Sequence, residues 1–157
     1  MKLWTLAAAV ALVAAPFGMA EAQADDATVR YLAHDAVAAA FAKGTPVIEV
    51  GDYKIHASRR DGPGQVEVHS RDTDIAYVLQ GSATLVTGGA ATGLAQTGPE
   101  ELRGHAIRGG ETRELSAGDV VVIPNGTPHW FREVKGPFLY YVIKVRQAER
   151  SPTAGAM

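Results

Sequence analysis

The run Gly118-Asp119-Val120-Val121-Val122-Ile123-Pro124-Asn125-Gly126-Thr127-Pro128-His129 constrains this chain more than any other stretch. Four consecutive β-branched residues predict a strand apolar enough to be buried on both faces. Pro-Asn-Gly then stops that strand sharply. The turn delivers one imidazole, His129, held between Pro128 and Trp130, into what should be a pre-formed cleft. A histidine fixed at the end of a buried strand is a candidate metal ligand or general base.

A partner for it lies upstream, in Gln65-Val66-Glu67-Val68-His69, followed by Asp74 and Gly81. Strand side chains alternate, so Glu67 and His69 share one face while Val66 and Val68 take the other. In the next strand Asp74, Ala76 and Val78 share a face, and Ile75, Tyr77 and Leu79 the opposite one. Two carboxylates and two imidazoles can therefore converge on one ion, with the small Ala76 leaving room for a ligand. The apolar face of Ile75, Tyr77 and Leu79 needs cover of its own, either a homodimer contact or an N-terminal helix.

The ends of the chain bound where it works. Lys2, the apolar stretch Leu6 to Phe17 and the small-x-small sites at Ala20–Ala22 and Ala22–Ala24 read as an export signal over residues 1–22. The apolar part is short for a transmembrane span. A periplasmic or secreted protein, free of the membrane after cleavage, is the expectation. Cleavage removes Lys2 and Glu21, so the net charge stays at −2. That balance, without any basic stripe interleaved with aromatics, argues against nucleic acid. No cysteine is present, which excludes disulfides, thiol nucleophiles and thiolate metal sites together.

Between the ends, Val29, Leu32, Ala33, Val37 and Ala40 recur at helical spacing, predicting a helix from about Thr28 to Lys43, capped by Asp26 or Thr28 and closed by Gly44. Strands are expected at 46–50, 53–59 and 65–69. A hairpin is expected over 74–80 and 82–87, turning at Gln80-Gly81-Ser82. Two last strands at 120–123 and 138–145 would bracket His129, with a turn at Gly136-Pro137. Residues 88–110, rich in Gly, Ala and Thr, read as a lid, a binding loop or a disordered insertion. The expected divisions are a helical segment over 23–45, a barrel domain over 46–147 and a flexible tail over 148–157. Short strands punctuated by Gly and Pro predict an all-β sandwich or barrel.

At these residues the chain resembles the cupins. The second cupin motif is Gly, five residues, Pro-x-Gly, two residues, His, three residues, Asn. Gly118, Pro124, Gly126 and His129 fall at its spacing, with Glu133 in place of Asn. The first motif is Gly, five residues, His-x-His, three or four residues, Glu, six residues, Gly. Here Glu67 stands for its first His, His69 fits, Asp74 replaces Glu, and Gly81 fits; the leading Gly is displaced from Asp61 to Gly62. The resemblance implies a jelly-roll β-barrel, behind a short N-terminal helix, holding one divalent metal inside.

A mixed nitrogen and oxygen set from His69, His129, Asp74 and Glu67 points to Mn(II) or Fe(II), then Zn(II). If Glu67 is not a ligand, it is free to act as the catalytic base beside the ion. His56 is a further candidate imidazole, whereas His34 and His105 are expected on the surface. Of Tyr141 and Lys144, on opposite strand faces, at most one can line the pocket. Trp130, Phe131, Tyr140 and Tyr141 are either an aromatic wall or ordinary core. Three functions stay open: a metal-dependent enzyme acting on a small molecule by dioxygenase, isomerase or lyase chemistry; a non-catalytic small-ligand binder; and a scaffold whose metal site has decayed.

Overall fold

A computed structural model describes residues 28–147. The export signal and the tail expected at 148–157 lie outside the described residues. Among the described residues one helix, α1 (His34–Lys43), precedes eleven strands: β1 (Pro46–Glu49), β2 (Tyr53–Arg60), β3 (Val66–His69), β4 (Asp72–Thr87), β5 (Ala90–Thr92), β6 (Ala95–Gly98), β7 (Glu101–Gly104), β8 (Ala106–Arg108), β9 (Glu111–Ser116), β10 (Val120–Ile123) and β11 (His129–Arg146). Nine strands form one curled sheet in the order β1-β2-β11-β3-β7-β6, with β4 joining β11 to β9 and β10; β5 and β8 pair separately. The fold is the all-β jelly roll that the cupin resemblance implies, within the sandwich or barrel class that the strand pattern predicts. Among the described residues no helix is long and apolar enough to cross a membrane.

The expected helix is shorter at its start. Val29 and Tyr31 are 92% and 85% exposed, so the segment before His34 has no surface to pack on, and periodicity without burial does not hold a helix in water. Ala33 occupies the N-cap without a side-chain bond, so Thr28 does not cap the helix, and Asp26 lies outside the described residues. The C-terminus matches expectation: Gly44 adopts φ +65°, and its N–H donates to the Ala40 carbonyl.

Two predicted turns are absent. Residues 74–87 are not a hairpin, because β4 runs unbroken through Gly81. Likewise β11 runs through Gly136-Pro137. These two long strands pair with each other and bend together: the register slips between Lys135 and Leu139, opposite Gln80 to Ser82. Gly81 has φ +77°, and a Cβ there would lie 2.6 Å from the Pro137 carbonyl oxygen. The glycine marks a crease between paired strands rather than a reversal of the chain.

Two further expectations are corrected. Residues 88–110 are not a structureless insertion; they fold into β5 to β8. The β10 strand is not buried on both faces, since Val120 and Val122 are 62% and 56% exposed. It is an edge strand paired with β4 alone, and one face, Val121 and Ile123, packs on the core.

Alternation along β2, β4 and β11 separates two surfaces. Inward residues Ala76, Val78, Leu85, Phe131, Phe138, Tyr140 and Val142 join Ala83, Leu115 and Ile123 in the core. Phe131, Phe138 and Tyr140 pack as a trio with centroids 5.0–5.6 Å apart. On the outer side, α1 covers part of the apolar face, with Phe41 set edge-on against Tyr141 at 4.9 Å. Tyr77 and Leu79 remain partly exposed.

Candidate metal centre

His129 opens β11 directly opposite Glu67 of β3, which brings the two motifs together. His129 Nε2 lies 3.8 Å from Glu67 Oε2 and 3.9 Å from Asp74 Oδ2. His69 Nε2 lies 3.7 Å from the same Glu67 oxygen and 3.3 Å from the same Asp74 oxygen. The two imidazole centroids are 5.1 Å apart. Ligand atoms held at roughly 2 Å around one ion lie about 3–3.5 Å from each other, so this spacing suits a single small cation. Glu67, His69 and His129 form a group whose ligand atoms all lie within 4.8 Å of one another. Asp74 touches both imidazoles, but Lys144 Nζ holds its two oxygens at 2.8 and 3.0 Å.

Hydrogen bonds fix how both rings face. His69 Nδ1 sits 2.7 and 2.8 Å from the two carboxylate oxygens of Glu101. His129 Nδ1 sits 3.1 Å from the Thr127 carbonyl oxygen. Both partners only accept, so each Nδ1 carries a proton and donates it, and in the neutral form of either ring the lone pair is on Nε2, facing the cluster. The buried His69 Nε2 has no hydrogen-bond partner of its own. A carboxylate or carbonyl behind each imidazole, with an unpartnered nitrogen in front, is the arrangement of metal-binding histidine. The residues present fit a divalent ion.

Direct cross-strand neighbours supply the surrounding charges. Arg103 of β7 stands opposite Glu67, and Glu101 opposite His69. Lys144 of β11 stands opposite Asp74. Arg103 Nη1 and Arg60 Nη2 approach Glu67 Oε1 at 2.6 and 2.8 Å. Arg60 Nε also donates to the Tyr140 hydroxyl at 2.9 Å, and its guanidinium lies 4.7 Å from the Phe131 centroid. Burial acts to raise the Glu67 pKa, but Arg60 and Arg103 outweigh it and hold the group down at about 2. Burial likewise opposes ionisation of Asp74, and contact with His69 and Lys144 keeps it below the ordinary carboxylate value. The imidazoles diverge: burial lowers the His129 pKa, whereas for His69 the neighbouring Asp74 overrides burial and raises it.

These groups line a cavity of about 370 Å³ whose inner wall also carries His56, Ala76, Phe131, Tyr140 and Val142. The four sequence candidates Glu67, His69, Asp74 and His129 thus stand together. Lys144 lines the cavity, and Tyr141 takes the outer face against Phe41. Of the four candidate aromatics, Phe131 and Tyr140 belong to both wall and core. Trp130 Nε1 donates to the Gly64 carbonyl at 2.7 Å. His34 and His105 are exposed, as expected. Sequence reasoning missed Arg60, Glu101 and Arg103. The one available signal was the alternation Glu101-Leu102-Arg103, which places two charges on one strand face.

No curated protein matches this chain. Similar solved structures include BH2720 of Bacillus halodurans, at 14% identity and TM-score 0.54 over 82% of this chain and 90% of that one. Another is KdgF of a Halomonas species, at 20% identity and TM-score 0.48 over 67% and 80%. A third is the hydroquinone 1,2-dioxygenase of Sphingomonas sp. TTNP3, at 13% identity and TM-score 0.47 over 67% and 65%. At 14% identity the likeness to BH2720 speaks for the fold alone. The model of the family described as Cupin matches residues 54–155, which include both motifs and every residue of the site. By that match over more than half its length, the chain belongs to the cupin family.

Proposed function

We propose that this protein is a mononuclear divalent-metal cupin of the cell envelope that acts on a small molecule bound at the ion. The observation that carries the reading is the pair of imidazoles whose Nδ1 atoms are engaged from behind by Glu101 and Thr127 while their Nε2 atoms face Glu67 and Asp74. His69, His129 and Glu67 are the proposed ligands, with Asp74 as the fourth once its carboxylate turns from Lys144. The mixed donor set favours Mn(II) or Fe(II), then Zn(II). A bound divalent ion supplies Lewis-acid polarisation of a substrate oxygen, and a redox-active one also opens dioxygenase chemistry.

The chain's own groups do the rest. Arg60 and Arg103 keep Glu67 ionised, which suits a ligand better than a base, because a carboxylate held at about 2 accepts a proton poorly at neutral pH. Lys144 fixes Asp74 and places an ammonium at the cavity wall, where it can bind an anionic oxygen. Phe131, Val142 and Ala76 present an apolar surface that limits water around a bound ligand. A second reading, a cupin that binds its ligand without turnover, draws on one observation. Both carboxylates nearest the imidazoles are neutralised by arginine or lysine, leaving neither free to take a proton.

The test is metal content of the natively exported protein and of point variants. One equivalent is expected in the wild type. Essentially none is expected in His69→Ala or His129→Ala, and strong depletion in Glu67→Gln. Full occupancy in either alanine variant removes that histidine from the centre, and full occupancy in Glu67→Gln returns Glu67 to the base role. Oxygen uptake and product analysis with the loaded protein separate the enzyme from the binder.

A further inference from the structure

Each carboxylate of the centre turns one oxygen toward the imidazoles. Glu67 Oε2 stands 3.7 and 3.8 Å from the Nε2 atoms of His69 and His129, and Asp74 Oδ2 stands 3.3 and 3.9 Å from them. The other oxygens are held by cations. Arg103 Nη1 and Arg60 Nη2 both meet Glu67 at Oε1, at 2.6 and 2.8 Å. Lys144 Nζ donates to Asp74 Oδ1 at 2.8 Å.

The two carboxylates differ in one respect. On Asp74 the same ammonium also reaches the front oxygen, Oδ2, at 3.0 Å. An ion seated among the Nε2 atoms must therefore take Oδ2 from Lys144, while Oδ1 is the oxygen further from both rings. Lys144 has little freedom to leave altogether. It stands directly across the ladder from Asp74, and the two side chains are only 13% and 8% exposed. A buried ammonium stripped of its carboxylate would be an uncompensated charge, so keeping Oδ1 is the favourable compromise.

We propose that Lys144 is the positioning residue of the fourth ligand: on metal loading it yields Asp74 Oδ2 and keeps Oδ1, so that Asp74 ligates through one oxygen and does not chelate. Arg60 and Arg103 impose the same restriction on Glu67 from behind. An octahedral ion that takes one atom from each of the four side chains keeps about two positions for water or substrate. A chelating Asp74 would close one of them. The N–H withdrawn from Oδ2 is left in the cavity that Lys144 lines. This inference rests on the metal-centre reading and adds to it which oxygen binds and what holds the other away.

The experiment loads the exported protein, Lys144→Met and Lys144→Arg with Mn(II). Bound water is counted by water-proton relaxation, and affinity is read from the electron paramagnetic resonance of the free ion. Lys144→Met should hold about one water fewer than the wild type. It should also bind the ion about tenfold more tightly, because no charge-assisted hydrogen bond has to be displaced from Oδ2. Lys144→Arg, which keeps the charge and the donors, should retain the wild-type water count. In the Asp74→Asn background the affinity gain of Lys144→Met should vanish. An unchanged water count in Lys144→Met, or a gain that persists in full in that background, overturns the proposal. A measurement on the unsubstituted chain needs no variant to fold: infrared difference spectra with carboxylate-labelled aspartate. Loading should widen the gap between antisymmetric and symmetric carboxylate stretches, as one-oxygen ligation does; a narrowed gap means chelation and overturns the Lys144 assignment alone. A wild-type protein that takes up neither Mn(II) nor Zn(II) overturns the centre itself, and this inference with it.

Discussion

The middle of β11 and its two ends meet the barrel interior differently. In the middle, Phe138 and Tyr140 pack ring on ring, joined by Phe131 from nearer the start, and Phe138 is fully buried. At the ends, His129 and Lys144 both reach Asp74, at 3.9 and 2.8 Å. The aromatic middle is held by area removed from water, which is non-directional and tolerant of detail. The charged ends are held by a chain of paired groups in which each member satisfies the next, and losing one leaves its partner buried and alone. The middle should therefore govern whether the chain folds, and the ends what it binds.

Phe138→Ala is the strongest way to break that division on the apolar side. It should cost about 3–5 kcal/mol, read from the denaturant midpoint, while the folded variant still takes up one metal equivalent. A variant that loses metal with little loss of stability would show that the aromatic trio serves the site more than the fold.

On the charged side, acid is the sharper tool. The folded-state pKa of Glu67 is depressed to about 2 from 4.5. Its stabilising contribution is therefore complete above about pH 4.5 and is lost as pH falls through about 2. The metal-free protein should lose on the order of 3 kcal/mol over that window from this group, and Glu67→Gln should flatten that part of the profile. A profile equally steep in both proteins would place the acid-sensitive groups elsewhere.

The mildest expected effect comes from behind the ligands. Glu101→Gln keeps the size of the side chain but weakens the hold on His69 Nδ1, so metal affinity should fall about 10–100-fold with the stability midpoint little changed. Unchanged affinity in a competition titration would mean that strand packing alone orients the ring.

The difference between the regions also explains what could be read from the residues in advance. His129, His69, Glu67 and Asp74 were legible because period-two alternation and the Pro-x-Gly turn fix both their faces and their order. The apolar interior was legible in type for the same reason. The continuity of β4 and β11 was not, since a glycine in a crease and a glycine in a turn look alike until the paired strand is seen. Nor were Arg60, Glu101 and Arg103, because cross-strand register between distant segments leaves no local trace in the chain. Residues 88–110 misled for a compositional reason: Gly, Ala and Thr are sparing in apolar bulk, yet the short strands β5 to β8 form with little of it.

The crease at Gly81 has a reach beyond its own surroundings. Because β11 folds over there with its partner, the residues that begin and end this one strand arrive at the same carboxylate. The bite of the centre, the gap that an ion must fit, is thus governed by backbone curvature at a position bearing no ligand at all. A family built on this plan can retune its chemistry by altering how sharply two strands bow, with every donor atom left in place.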